Sequence, residues 1–154
     1  MLSLNQRGFT LLESLMVIGI LGIVAAIALP RMGTASDERN VDLAARALAA
    51  DLRWMQQLSV NSVAGSGDPF VPAGSRPFLY FNNAAPLGYT ITLASQVIKT
   101  VTFPAGVRVN TPPSSVAFTI NGMPSSNQTI SLQSGTAFRY VYIDSPGRVR
   151  VNTQ

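Results

Sequence analysis

The sequence predicts an α+β fold in which one long N-terminal helix packs on an antiparallel, β-rich C-terminal domain. Three observations predict it. An unbroken apolar run fills residues 9–29, an apolar stripe with helical spacing follows it, and beyond Pro77 the apolar residues alternate with a period of two. Because neither a striped helix nor a half-apolar sheet can bury its apolar side alone, the two must pack together.

Length and composition limit the chain to one globular domain and an apolar anchor. It has 154 residues, 47% hydrophobic and 12% charged, with a net charge of +4. Residues 63–154 carry six basic and two acidic side chains, so the whole excess lies there. Such an excess favours polyanions, but it also simply keeps proteins soluble. Without His or Cys, His-based catalysis, the common zinc sites and disulfides are excluded. We therefore predict no enzymatic activity, metal or cofactor.

The apolar run from Phe9 to Leu29 has the length of a membrane span. Its twenty-one residues contain one ionisable side chain, Glu13, and as a helix they extend about 31 Å, close to the bilayer core of about 30 Å. The run ends at Leu29-Pro30 without the small-x-small cleavage site of a secretory signal peptide. We predict a transmembrane helix over residues 9–29, with Arg7 cytoplasmic and the globular part outside the cytoplasm.

Glu13 is the unusual residue of this run, because a carboxylate inside a spanning helix is costly and normally has a partner. Two interpretations follow from the residues alone. In one, the segment is a simple anchor and Glu13 lies near the lipid headgroups. In the other, Glu13 pairs with a positive group in an assembly of such helices.

The segment Gly8-Phe9-Thr10-Leu11-Leu12-Glu13 resembles the processing site of type IV prepilins, including the pseudopilins of type II secretion. The resemblance implies a leader peptide at 1–8, cleavage after Gly8 by an inner-membrane prepilin peptidase, and N-methylation of Phe9. It implies that Glu13 docks on the N-terminal amine of a neighbouring subunit. Pro30 falls where many members carry a helix-bending proline.

Residues 30–62 are predicted to continue the helix as an amphipathic segment. Pro30 lacks an amide hydrogen and should bend the helix there. No Gly occurs between Thr34 and Ala64, as expected of a long helix. Trp54 lies beside the apolar stripe, where we expect it to pack at the helix–sheet boundary. The stripe consists of Val41, Ala45, Leu48, Leu52, Met55 and Leu58.

The β-rich domain is assigned to residues 63–154, beginning with a loop rich in Gly and Pro at 65–77. Turn signals such as Asn121-Gly122 and Ser145-Pro146-Gly147 separate eight short candidate strands. The candidates are Phe78–Phe81, Tyr89–Leu93, Val97–Phe103, Val107–Val109, Val116–Ile120, Thr129–Leu132, Phe138–Ile143 and Arg148–Val151.

The last strand carries the one candidate binding motif, Gly147-Arg148-Val149-Arg150. Residues two apart in a strand share a face, so Arg148 and Arg150 should face solvent while Val149 faces the core. Guanidinium groups fork onto phosphate oxygens, and we predict that Arg139 on the preceding strand extends the patch. The alternative is a solvated edge strand whose charges prevent edge-to-edge pairing.

Two runs in this half, 118–135 and 139–151, resemble the GspH/FimT group of minor pilins and pseudopilins. The resemblance implies a type IV pilin-like fold. The Gly-Arg-x-Arg element resembles that of FimT-type minor pilins, which implies binding of double-stranded DNA during natural transformation.

Three functions are consistent with the sequence. The first is a minor pilin or pseudopilin that primes assembly at the tip of a type IV pilus or type II secretion pseudopilus. Its partners would be other pilins, the prepilin peptidase and the bacterial inner membrane. The second is a DNA receptor on such a pilus, acting through Arg148 and Arg150. The third is a membrane-anchored periplasmic domain unrelated to filaments.

Overall fold

A computed structural model describes residues 10–62 and 75–152, with the side chains of residues 28–32 left out. The chain divides into two compact units, Met1–Ala35 and Ser36–Gln154. One helix, α1 (Leu11–Asn61), runs across this boundary and continues through Pro30. The predicted bend at Pro30 stays a prediction.

Eight strands follow α1 and form two antiparallel four-stranded sheets. The first sheet has the order β3-β2-β1-β5, and the second sheet has the order β4-β6-β7-β8. The α+β class confirms the sequence-based prediction, and each of the eight predicted strands overlaps an observed strand. The strands are β1 (Phe78–Asn82), β2 (Gly88–Leu93), β3 (Gln96–Thr102), β4 (Arg108–Val109), β5 (Val116–Ala117), β6 (Gln128–Ser134), β7 (Ala137–Asp144) and β8 (Arg148–Asn152).

Both sheets and α1 contribute to one hydrophobic core within the second unit. The predicted stripe of α1 faces it, with Val41, Leu48 and Met55 fully buried. From the first sheet, Tyr89 and Ile91 of β2 point inward as their alternation predicted. From the second sheet the buried residues include Ile130, Leu132, Val141 and Ile143. Burial of this kind contributes about 25 cal/mol per Å² of apolar surface, so the core is the main source of stability.

The predicted strand Val116–Ile120 is too long. The structure ends β5 at Ala117, after which Phe118 forms only an isolated bridge with Pro124. A turn then brings Gly122 into the left-handed region at φ +74°. Phe118 is buried, but Ile120 is 46% exposed because it already belongs to the turn.

The connection between β2 and β3 is a two-residue turn that the sequence did not signal. Ala94 (φ 50°) and Ser95 (φ 67°) both occupy the left-handed region. Two-residue hairpin connections require such angles, but Asn and Gly usually supply them. The strong pairing of the flanking strands therefore holds an Ala-Ser pair in a conformation that it does not favour.

Candidate assembly and binding surfaces

The N-terminus of α1 is capped by Thr10. The backbone N–H of Glu13 donates to Thr10 Oγ1 at 3.2 Å, and that of Ser14 donates to the Thr10 carbonyl oxygen at 3.1 Å. Thr10 and Glu13 have the spacing of a capping box, and a negative charge in the first turn is favourable there. The Glu13 carboxylate has no hydrogen bond or ion pair among the residues that the structure describes. It is therefore available to a cationic group from another molecule.

The first turns of α1 expose an apolar surface. Every large apolar side chain from Leu11 to Ile27 is 44–84% exposed. Apolar patches of this extent mark sites where another apolar surface docks. Within the residues described, no helix is both long enough and apolar enough to cross a membrane. The predicted cleavage at Gly8 and methylation of Phe9 concern residues outside the described ranges.

The second candidate surface is the outer face of β8. Arg148 and Arg150 are exposed, while Val149 is 6% exposed and belongs to the core. The predicted division of the strand into a solvent face and a core face is confirmed. On the neighbouring strand, Tyr140 and Tyr142 stack with ring centroids 6.2 Å apart, and Tyr142 pairs with Arg150 in register.

Charge on this surface is lower than the sequence suggested. Asp144 pairs with Arg148 in register across β7 and β8, and its carboxylate forms an ion pair with the Arg150 guanidinium. Arg148 has no hydrogen bond or ion pair within the described part of the chain. Two arginines and one aspartate leave a net charge of about +1 on this face, which weakens its attraction for a polyanion.

The prediction that Arg139 extends this patch is wrong. It lies one residue from Tyr140, so it points to the other face of β7. Its Nε donates to Asp42 of α1 at 3.3 Å, and its side chain is only 18% exposed. Arg139 therefore attaches the second sheet to the helix and is separated from the face of Arg148 and Arg150.

Strand β8 is the last described strand. The sequence has no cysteine to form a disulfide, and two side chains of α1 hold β8. Arg53 Nη2 donates to the Val149 carbonyl oxygen at 2.9 Å. Gln56 Nε2 donates to the carbonyl oxygens of Gly122 at 2.6 Å and Gly147 at 3.0 Å. Neither side chain belongs to the apolar stripe, and the turns that they reach are far from them in the sequence.

A buried carboxylate ties α1 to the first sheet. Asp51, 8% exposed, accepts a hydrogen bond from the Tyr89 hydroxyl at 2.8 Å and one from Lys99 Nζ at 2.6 Å. Lys99 Nζ also lies 6.0 Å from the centre of the Trp54 ring. Burial, and then the hydrogen bond to Asp51, raise the pKa of Tyr89, so the phenol remains a neutral donor. Sequence reasoning missed this cluster, and its only signal was an aspartate directly beside the stripe residue Leu52.

Among the described residues, no group of three or more His, Cys, Asp or Glu side chains is arranged to hold a metal ion. The two candidate binding surfaces are the exposed apolar start of α1, with Glu13, and the face of β8, with Arg148 and Arg150.

Comparison with known proteins agrees with the motif at the start of the chain. The prokaryotic N-terminal methylation motif matches residues 3–29. Type II secretion system protein H of Aeromonas hydrophila is 44% identical over 56 residues, which cover 36% of this chain and 31% of that protein. The chain thus spans about a third of the length of the Aeromonas relative.

The fold of this chain is similar to that of a solved minor pilin. The type IV minor pilin FimU of Pseudomonas aeruginosa superimposes with a TM-score of 0.52 at 19% identity, covering 74% of this chain and 89% of FimU. A second crystal form of FimU gives a TM-score of 0.50 at 18% identity, covering 72% and 91%. At this identity the likeness establishes the fold alone, and that fold is the long helix on antiparallel sheet described above.

Proposed function

We propose that this protein is a minor pilin or pseudopilin, a non-catalytic subunit of a type IV pilus or a type II secretion pseudopilus that primes assembly at the filament tip. The observation that carries the proposal is the start of the chain. The methylation motif matches residues 3–29 and overlaps the start of α1. From Leu11 to Ile27 the large apolar side chains of this helix are exposed, and Glu13 is the only charged residue among them.

The physical chemistry of this segment supports an assembly role. After cleavage following Gly8, the methylated amine of Phe9 would be a cation four residues from Glu13. The helix would wait in the inner membrane and then exchange lipid for the like helices of neighbouring subunits. A carboxylate in such surroundings is stable only with a positive partner, and a neighbouring subunit's terminal amine supplies one.

Processing is the direct test. Co-expression of the full chain with a prepilin peptidase, followed by intact-mass spectrometry, is expected to show loss of residues 1–8 and one added methyl group on Phe9. Gly8→Val should remain at full length because its bulk blocks the cleavage site. If the peptidase cuts a control prepilin but leaves this chain intact, a membrane-anchored domain unrelated to filaments becomes the better account.

A second candidate function is DNA binding by the face of β8. It is favoured by the exposed guanidinium of Arg148, which has no partner among the described residues, and by its position two residues from Arg150. Opposing it is the ion pair between Arg150 and Asp144. The same pair supplies a sharp test, because Asp144→Asn frees Arg150 and raises the positive charge of the face.

The test uses the full chain in detergent with labelled double-stranded DNA. DNA binding predicts salt-sensitive association at about 50 mM salt that is lost in Arg148→Ala/Arg150→Ala and strengthened in Asp144→Asn. Arg108→Ala, another exposed arginine of the second sheet, is the control. No association of the wild type at this salt would leave β8 as a charged edge strand.

A further inference from the structure

The outer face of the first sheet, which points away from the core, carries a pair of aromatic side chains. Phe78 and Tyr80 lie two residues apart on β1 and therefore share this face. Their rings stack with centroids 6.3 Å apart, and Tyr80 is 43% exposed. Because the core lies on the other side of the sheet, packing within the domain does not explain this stacked pair.

Hydroxyl groups lie beside these rings on the same face. Tyr80, Thr90 and Thr100 pair in register across β1, β2 and β3, and Thr92 pairs with Phe78 in the next row. We call these five residues the stacking face. None of its hydroxyl groups has a hydrogen-bond partner among the residues that the structure describes. The three strands span about 10 Å, so the face presents aromatic rings next to free donors and acceptors.

One cation lies at the end of the stacking face. Arg76, just before β1, is exposed and has no hydrogen bond or ion pair within the described part of the chain. With Ser75, Ser95 and part of the stacking face it lines a pocket of about 450 Å³, a volume typical of small-molecule sites. The other charged residue in 75–102 is Lys99, which points to the opposite side of the sheet and binds α1.

We propose that the stacking face and Arg76 bind an acidic saccharide, a chain of pyranose rings that carry carboxylates, as in a hexuronic acid. A pyranose presents C–H bonds on the faces of its ring and hydroxyl groups around its edge. Its C–H face lies on the rings of Phe78 and Tyr80, as apolar groups do on aromatic side chains. Its hydroxyl groups bond to the threonine side chains, and its carboxylate pairs with the Arg76 guanidinium, the strongest of these contacts.

The composition of this surface favours a saccharide over other ligands. A nucleic acid gains its affinity by placing several phosphates on cations, and Arg76 is the single cation of this face among the described residues. An apolar peptide or lipid would bury the threonine hydroxyl groups without partners, which is costly. The inference goes beyond the proposed assembly function and does not depend on it, because no residue at the start of α1 takes part.

Calorimetric titration of the full chain tests the proposal, in a detergent whose headgroup is not a sugar. The probes are the trisaccharide of galacturonic acid and the trisaccharide of galactose, which has a neutral CH₂OH group in place of each carboxylate. A single-stranded thymidine oligonucleotide of the same charge is the third probe. We expect saturable binding of the galacturonic acid trisaccharide, about tenfold weaker binding of the galactose trisaccharide because it lacks the ion pair, and no binding of the oligonucleotide.

Two variants separate the contributions of charge and stacking. Arg76→Gln should weaken binding of the galacturonic acid trisaccharide about tenfold and leave the galactose trisaccharide unaffected, whereas Arg108→Gln on the second sheet should change neither. Tyr80→Ala should weaken both trisaccharides about fivefold, and Tyr80→Phe, which keeps the ring, should bind within about twofold of the wild type. Tyr142→Ala is the matched control, because Tyr142 stacks on Tyr140 in the second sheet. Near-ultraviolet circular dichroism verifies that each variant is folded.

Several results would overturn the inference. The absence of saturable binding of the galacturonic acid trisaccharide is the plainest. Equal affinity of the wild type for the two trisaccharides would show that Arg76 does not recognise the carboxylate. Unchanged binding by folded Tyr80→Ala would show that the ligand does not lie on the rings. Binding of the oligonucleotide as tightly as the galacturonic acid trisaccharide would identify the face as a nucleic-acid site instead.

Discussion

The two sheets are attached to the same helix by different chemistry. The first sheet is held at one buried point, where Asp51 accepts hydrogen bonds from Tyr89 and Lys99. The second sheet is held at several points along α1. Arg53 and Gln56 donate to backbone carbonyl oxygens of the turns and of β8, and Arg139 and Ser134 donate to carboxylates of α1 that are less buried than Asp51. The stabilisation from a buried carboxylate depends on which side chains contact it. The stabilisation from hydrogen bonds to carbonyl oxygens depends on the backbone conformation that positions those oxygens.

Each attachment is therefore vulnerable to a different kind of change. The first sheet should be sensitive to changes of side-chain chemistry, because a buried polar group without a partner is costly. The second sheet should be sensitive to changes of backbone conformation, because two of the acceptors, Gly122 and Gly147, lie in turns at positive φ. Unfolding of the full chain in mild detergent, followed by near-ultraviolet circular dichroism, measures both kinds of sensitivity.

Gly147→Ala should have the largest effect and act on the second sheet. Gly147 has φ +96°, and a Cβ there would lie 2.4 Å from the Gly122 carbonyl oxygen and 2.5 Å from Gln56 Nε2. Strain and displacement of Gln56 should together lower the free energy of unfolding by about 3 kcal/mol. Gly33→Ala is the control, since a Cβ at Gly33 meets nothing within 4 Å. Equal stability of the two variants would refute the proposed role of the turn.

Asp51→Ala should come next and act on the first sheet. It leaves the buried Tyr89 hydroxyl without its acceptor, while Lys99, whose side chain is 42% exposed, can turn to water. Most of the loss therefore comes from the phenol, and we expect about 2 kcal/mol. Asp42→Ala, which removes a more exposed carboxylate of the same helix, should cost less. A larger loss from Asp42→Ala would reverse the assignment of Asp51 as the main attachment.

Tyr89→Phe should cost about 1 kcal/mol at neutral pH, because it removes one hydrogen bond and leaves Asp51 paired with Lys99. It should also change the response to alkali. The ordinary pKa of tyrosine is 10.0, and that of Tyr89 is raised in the folded protein. Above about pH 10 the unfolded chain loses this proton while the folded protein keeps it, so stability falls by about 1.4 kcal/mol per pH unit.

The Tyr89→Phe variant should therefore lose less stability than the wild type as the pH rises above 10. Tyr80→Phe is the matched control, because Tyr80 is 43% exposed and its ring stacks on Phe78 outside the core. An identical alkaline slope for Tyr89→Phe and the wild type would show that the phenol does not remain protonated in the fold.

Asp144→Ala should have the smallest effect. It removes the ion pair with Arg150 on an exposed face, and surface pairs of this kind contribute about 0.5 kcal/mol or less. Chemical denaturation should scarcely distinguish this variant from the wild type. A loss comparable to that of Gly147→Ala would mean that the outer face of β8, and not its backbone, secures the second sheet.

The sequence predicted the elements of the fold because their signals are local. The stripe of α1 and the alternation of Tyr89 and Ile91 follow from periodicity, which burial enforces. The Asp51 cluster could not be predicted, since Tyr89 lies 38 positions and Lys99 lies 48 positions after Asp51 in the sequence. Arg139 was misplaced because the register of β7 against β8 could not be predicted from the sequence: Tyr142, and not Arg139, lies opposite Arg150.

The most direct test concerns the proposal that the protein is a filament subunit assembled through Glu13. We would measure its presence in sheared, purified filaments from cells that express the wild type, Glu13→Gln or Glu13→Ala at equal levels. The account predicts that the wild type is found in the filament fraction and that both variants remain in the inner membrane after normal processing, because neither has a charge to pair with the Phe9 amine. Incorporation of Glu13→Ala at the wild-type level would contradict it.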